Sequence, residues 1–141
     1  MASKQTEYYA GETTLNNYIN YIKAQIIGHI KVSIDEMWTA SKPTVLESGS
    51  VIEFDGALYS FESDETIIGT PSDGDCYIYA VLNDSDLPVI EFSNDAPAWS
   101  AERQGWYYED SNDLKRALFR MEKDTADYVN KRKLTIEAVG L

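Results

Sequence analysis

Between residues 49 and 108, runs of β-branched and aromatic residues alternate with clusters of glycine, proline, aspartate, asparagine and serine. The runs favour β-strands and the clusters favour turns. This alternation indicates many short strands joined by turns. The predicted fold class is therefore mainly β, a short-stranded β-sandwich or barrel-like module, with an N-terminal α-helix.

Two segments of this stretch carry the clearest strand patterns. Residues 51–55 and 57–62 flank Asp55-Gly56, which predicts a hairpin because glycine tolerates a positive φ. Residues 76–82, CYIYAVL, are apolar at alternating positions on both faces, which predicts a central strand covered on both sides. Cys76 is expected to be a buried, unreactive thiol. Further strands are predicted at residues 66–68, 88–93 and 105–108, with an extended linker at 96–99.

Three regions are predicted along the chain: a flexible arm at residues 1–11, a helical lead-in at 12–40, and a β-rich domain at 41–141. On the predicted helix, apolar residues spaced by four, three and four form a narrow seam. The seam residues are Leu15, Ile19, Ile22 and Ile26. A seam of this width is typical of an oligomerising coiled coil, and also of a surface helix folded back on its own domain. Later in the lead-in, residues 30, 32 and 34 alternate like a strand.

The C-terminal segment has two interpretations. Leu114, Leu118 and Met121 have helical spacing and predict a helix. A hairpin of residues 117–123 and 128–136 is the alternative, and the strand-type residues of its second arm favour it. Over half of the positive charge lies in this segment, which predicts pairing with the protein's own acidic core or with a neighbouring subunit.

The net charge excludes some partners. The 141 residues include 24 acidic and 12 basic side chains, and the formal net charge is −12. Such a surface repels phosphate groups, so neither nucleic-acid binding nor attraction to anionic membranes is expected. Membrane insertion is not expected either, since no apolar run approaches the length of a span. The first residues lack the apolar core of a secretory signal, so we expect synthesis in a cytoplasm.

Catalytic chemistry is not indicated. The sequence lacks the common nucleophile, phosphate-loop and dinucleotide motifs and has one histidine, His29, so neither a catalytic residue nor a cofactor is predicted. Close carboxylate pairs fall in or beside turns, where aspartate caps backbone N–H groups. A calcium site formed by Asp73, Asp75, Asp84 and Asp86 is less favoured than solvated turns, so no metal is predicted.

Aromatic residues are abundant, with ten Tyr, three Trp and four Phe. Tyrosine and tryptophan present flat faces to sugars and anchor protein partners. In the strand at 105–108, alternation places Trp106 and Tyr108 on one face and Tyr107 on the other. Trp106 is expected in the core, and Trp99 and Tyr107 are the candidate residues of a ligand or partner surface. The alternative is that Trp99 only covers a strand end.

Four sequence pieces occur in an informative order: SKPTVLESGSVIEFDGALYSF at residues 41–61, CYIYAVL at 76–82, APAWSAERQGWYY at 96–108, and Tyr-x-x-Lys at 128–131. The order resembles modules of bacteriophage tail-fibre and other virion appendage proteins, and the resemblance covers residues 42–134. It implies a β-rich virion module, usually trimeric, after a helical or extended stalk. The compact length departs from that of long fibres. The module has no fixed site from which residues carry over.

The sequence therefore supports two main hypotheses. The first is a non-enzymatic virion structural protein, made in the host cytoplasm, that forms a homo-oligomer, with a trimer favoured, and contacts other virion proteins. The second is a carbohydrate-binding adhesin module that uses exposed Trp and Tyr residues on a host-surface glycan. A small hydrolase is the least favoured alternative.

Overall fold

A computed structural model describes residues 2–7, 30, 32, 42–110 and 113–134. This part of the chain contains eleven β-strands and no α-helix, so the mainly β prediction is confirmed. The predicted helix and its seam residues, as well as His29, lie outside the described residues. The strands are β1 (Ala2–Glu7), β2 (Val45–Leu46), β3 (Val51–Phe54), β4 (Ala57–Phe61), β5 (Glu65–Ile68), β6 (Gly74–Leu82), β7 (Pro88–Ser93), β8 (Ala98–Ser100), β9 (Gly105–Glu109), β10 (Leu114–Asp124) and β11 (Asp127–Lys133).

The strands form two sheets. The small sheet has the order β1-β4-β3. The large sheet has the order β2-β5-β7-β6-β10-β9-β8, and β11 also pairs with β10. One edge of β10 pairs with β6, and its other edge is shared, since residues 114–116 pair with β9 and residues 119–124 pair with β11. The long strand β10 therefore holds three neighbours in register.

The β3–β4 hairpin is confirmed where Asp55-Gly56 predicts it. Asp55 has a φ of 48° and Gly56 a φ of 90°. Positive φ at both central residues is the requirement of a type I′ turn, whose twist matches the right-handed twist of the flanking strands. The predicted strand at residues 88–93 is likewise confirmed as β7. Part of the predicted linker at residues 96–99 is instead strand β8, which pairs with β9.

The C-terminal segment forms the predicted hairpin and not the alternative helix. β10 and β11 pair antiparallel, and Asp124 lies opposite Asp127 at the turn. Thr125 at the turn has a φ of 60°. The helical spacing of Leu118 and Met121 is coincidental. Both residues belong to β10, which contains a bulge, and both side chains are buried. The bulge between Ala117 and Phe119 in the pairing with β6 changes the alternation there.

The two sheets share one core. Ala57, Tyr59 and Phe61 of β4 are buried in the same cluster as Cys76 and Ile78 of β6. The sheets therefore pack face to face through these residues. We call the face of the large sheet that joins this core the inner face, and the opposite face the outer face.

The predicted central strand is confirmed. β6 lies between β7 and β10, and its residues 76–80 are all buried. Cys76 is fully buried, as expected. Desolvation by this burial raises the pKa of its thiol to about 11, which keeps the thiol protonated at neutral pH.

The N-terminal residues correct one prediction. Residues 2–7, expected to belong to a flexible arm, form β1, which pairs antiparallel with β4. The polar sequence of β1 carries no strand pattern, and the strand is stabilised by the available edge of β4. In the lead-in, Ile30 is buried and Val32 forms a bridge with Leu46, which agrees with the alternation at these positions.

Candidate functional site on the outer face of the large sheet

The outer face carries its own apolar cluster. Alternate residues of β6 point to opposite faces, so Tyr77, Tyr79 and Val81 lie on the outer face. Trp106 and Tyr108 of β9 pack against this cluster. Tyr77 and Tyr79 are buried, and Trp106 and Tyr108 are half-buried, so the outer face carries an aromatic layer instead of the polar residues that a solvated sheet face usually has.

Trp99 is positioned by Trp106. The pairing of β8 with β9 puts these two residues directly opposite each other. Their ring centroids are 5.7 Å apart and the rings are inclined at 70°. Both side chains are half-buried. Edge-to-face aromatic pairs contribute about 0.5–1.5 kcal/mol, so Trp99 is held with part of its surface in solvent.

A charged pair lies beside these rings. The Lys115 Nζ is 2.8 Å from the Glu91 Oε1 and 5.9 Å from the centroid of the Tyr108 ring. The hydrogen bond to Glu91 raises the pKa of Lys115 and favours its charged form. We call Trp99, Trp106, Tyr108 and Lys115 the outer aromatic patch. It combines ring surface, which packs on the C–H faces of a sugar, with the charged donor Lys115, and it borders the charged acceptor Glu91.

Tyr79 is a buried residue of the outer face that packs against the patch. It is fully buried, and its ring lies 6.5 Å from that of Tyr108 at 65°. Its hydroxyl donates a hydrogen bond to the backbone carbonyl of Asp95. Burial raises the pKa of Tyr79 well above its usual value. The neutral hydroxyl therefore ties β6 to the segment that leads into β8.

Tyr107 is not part of this surface, which corrects the sequence prediction. The residue is 3% exposed and lies on the inner side, where its ring packs edge-on against Phe54. Its hydroxyl accepts a hydrogen bond from the backbone N–H of Asp55 at 2.8 Å. Burial raises the pKa of Tyr107. The predicted alternation of residues 106–108 is correct, but the face that carries Trp106 is the half-buried outer one.

Tyr107 lies instead beside a buried ion pair that the sequence did not predict. Arg116 is 5% exposed and Glu53 is 3% exposed. The Arg116 Nε is 3.7 Å from the Glu53 Oε1 and donates to the Glu53 backbone carbonyl at 3.3 Å. The Arg116 guanidinium also lies 5.4 Å from the Tyr107 ring centroid. The only sequence feature that indicates a buried charge is the position of Glu53 between apolar residues in VIEF. That feature does not identify Arg116 as the partner of Glu53.

The acidic turns are engaged within the fold. The Asp73 Oδ1 accepts from the Thr125 N–H at 3.1 Å, and the Asp75 Oδ2 is 3.2 Å from the Arg120 Nη2. Asp84 and Asp86 lie in the turn that Asn83 caps through its side-chain oxygen. Across the described ranges, no group of three or more His, Cys, Asp or Glu side chains is placed to hold a metal ion.

Comparisons with protein-family models, with curated proteins and with solved structures find no match to the chain. In residues 2–7, 30, 32, 42–110 and 113–134, no helix is long and apolar enough to cross a membrane.

Proposed function

We propose that the protein is a non-enzymatic structural module of a virion, a fibre or appendage component that attaches to the particle or to the host surface. The observation that carries the proposal is where the four resembling pieces lie. Residues 41–61 contain β2, β3 and β4, residues 76–82 lie in β6, residues 96–108 contain β8 and β9, and residues 128–131 lie in β11. All four belong to one unit of two sheets with a shared core, for which we favour a β-sandwich over a barrel.

The module acts as a homo-oligomer, with a trimer favoured, and contacts other virion proteins. The apolar seam of Leu15, Ile19, Ile22 and Ile26 aligns the chains as a coiled coil. The strands of the β-domain provide the rigid body that docks on the particle. The protein is made in the host cytoplasm and assembled into the virion, and its net charge of −12 keeps it from nucleic acid.

Sedimentation equilibrium tests the oligomer. We expect the mass of three chains for the wild type, and the mass of one chain for the double variant Ile19→Ser, Ile22→Ser, because it removes two central seam residues. The matched control is Asn16→Ser, Asn20→Ser, which changes polar residues of the same predicted helix and keeps the oligomer. A monomeric wild type at high concentration contradicts the proposal.

A second candidate is carbohydrate binding by the outer aromatic patch. It is favoured by the half-buried Trp99, whose ring is fixed by Trp106 on the face that also carries Lys115. Glycan-array binding tests it, with an expected loss of signal in Trp99→Ala. Ile68→Ala is the control, because Ile68 is 57% exposed and lies outside the patch. Binding that Trp99→Ala leaves intact excludes the patch as the platform.

A further inference from the structure

A cleft lies between β10 and β11, in the basic C-terminal hairpin. Its volume is about 440 Å³, within the range of sites that hold small ligands. Three of its six lining residues are cationic and one is anionic. The lining residues are Arg120, Met121, Glu122, Asn130, Lys131 and Arg132.

A β-bulge shapes this cleft. The register of the β10–β11 pair shifts between Arg120 and Glu122, where β11 contains one extra residue. Asn130 in the bulge has a φ of 54°, a conformation that asparagine tolerates better than most residues. Its side-chain amide donates to the Glu122 Oε2. The bulge thus places an amide and a carboxylate next to the cationic side chains.

Two of the cationic side chains lie so close that they repel each other. Arg120 and Arg132 are directly opposite partners in the antiparallel pair, and like charges at such positions are destabilising. Asp75 lies 3.2 Å from Arg120 and offsets part of this repulsion. Arg132 is exposed. On a chain with a net charge of −12, this cleft is a local concentration of positive charge, which favours the binding of an anion.

We propose that the cleft between β10 and β11 binds a saccharide that carries a carboxylate or phosphate group. The oxyanion lies against Arg120 and Arg132, because the planar guanidinium donates two parallel hydrogen bonds to such groups. Sugar hydroxyls donate to Glu122 and accept from Asn130. The site is separate from the outer aromatic patch, and it rests on the lining of the cleft, independently of any role in a virion.

Two observations favour a saccharide over an acidic peptide added as a strand to the edge of β11. The bulge at Asn130 interrupts the regular backbone ladder on which strand addition depends. The Glu122 carboxylate repels a peptide that is acidic along its whole length, and it suits a ligand that has hydroxyl donors beside a single anionic group.

NMR titration of the arginine Nε–H resonances in the full chain tests the proposal. The probes are glucuronate and glucose 6-phosphate, with glucose and acetate as controls at constant ionic strength. We expect saturable chemical-shift changes of Arg120 and Arg132 with at least one anionic sugar. The sugar with the lower dissociation constant identifies the preferred oxyanion. Arg132→Gln raises the dissociation constant about ten-fold, because a charge-assisted hydrogen bond is lost.

The matched control is Lys133→Gln. Lys133 is an exposed residue of the same strand that does not line the cleft. We expect this substitution to change the dissociation constant less than about two-fold. Equal shifts with acetate overturn the proposal, because the sugar then contributes nothing. Tighter binding of a tetraglutamate peptide than of either sugar identifies an acidic protein segment as the ligand instead. If neither anionic sugar produces saturable shifts, the proposal is also contradicted.

Discussion

Arg116 and Glu53 place opposite charges in the interior between the two sheets. Burial of a charge is costly, and a buried pair is retained only when good geometry and further hydrogen bonds offset the desolvation. The fold supplies such hydrogen bonds, since the Arg116 Nε donates to the Glu53 backbone carbonyl at 3.3 Å and the Glu53 Oε2 accepts from the Gly56 N–H at 2.6 Å. The pair therefore joins the β3–β4 turn of the small sheet to β10 of the large sheet.

We predict that Glu53→Gln destabilises the fold by about 3–5 kcal/mol, because it leaves the Arg116 charge buried without a counter-charge. The glutamine keeps the shape of the side chain and can still accept from the Gly56 N–H. Urea denaturation followed by tryptophan fluorescence measures the loss of free energy of unfolding.

The double variant Glu53→Gln, Arg116→Met serves as the control. It removes both charges, so we expect it to be more stable than the sum of the two single losses predicts. Additive losses show that the two charges do not interact, and contradict the assignment of the pair. The ring contact of Arg116 with Tyr107 is lost equally in Arg116→Met and in the double variant, so it cancels in the comparison.

Tyr107 is the residue of β9 whose burial the sequence did not predict. A period of two residues separates the faces of a strand but does not identify the more buried face. At residues 106–108 both faces are aromatic, and the inner side is decided by Arg116 and Glu53, 63 residues apart in the chain. For Trp99, the sequence provided the residue, and pairing with Trp106 explains how it is held.

At the level of the elements, strands with local patterns were predictable and strands that depend on a partner were not. The hairpin at Asp55-Gly56, β6 and β7 carry turn residues or apolar alternation within their own segments. β1 and β2 do not, and they exist because an edge strand offers them backbone partners. The cleft between β10 and β11 was not predictable, because it depends on a register shift between them.

We predict that replacing residues 2–7 with alternating glycine and serine destabilises the fold by about 1–3 kcal/mol. The reason is loss of side-chain burial at Ala2, which is 3% exposed, and the greater entropy that glycine loses when the strand forms. Hydrogen exchange of the β4 amides measures the effect directly, with faster exchange expected at those that face β1. Amides of β7 in the large sheet are the internal control. Unchanged exchange along β4 contradicts the pairing of β1 with β4.

For the whole molecule, the charge distribution links the basic C-terminal hairpin to the acidic remainder. Lys115 pairs with Glu91, Arg120 with Asp75, and Lys123 lies 3.9 Å from Asp73. Of the two predicted outcomes for the basic segment, the structure shows pairing with the protein's own acidic residues. Exposed pairs contribute at most about 1 kcal/mol each, so the shared core carries most of the stability.

That core also determines how the molecule responds to alkaline pH. Burial raises the pKa of Tyr79 and of Tyr107, while in the unfolded chain both titrate near pH 10. Below that pH both are neutral in either state, and their contribution to stability is fully present. Above it only the unfolded state loses protons, so stability falls as pH rises, by about 1.4 kcal/mol per pH unit for each tyrosine.

The variant Tyr79→Phe isolates one of these contributions. We expect it to lose about 1 kcal/mol at pH 7, because the hydrogen bond to the Asp95 carbonyl is removed. Between pH 10 and 11, its free energy of unfolding falls less than that of the wild type, by about 1 kcal/mol, because half of the unfolded tyrosine is already ionised at pH 10. Urea denaturation at each pH measures both slopes, and absorbance at 295 nm reports tyrosinate formation on unfolding. If the free energies of unfolding of the wild type and the variant fall in parallel above pH 10, the burial of a neutral Tyr79 is contradicted. The difference between them would then reflect only the lost hydrogen bond.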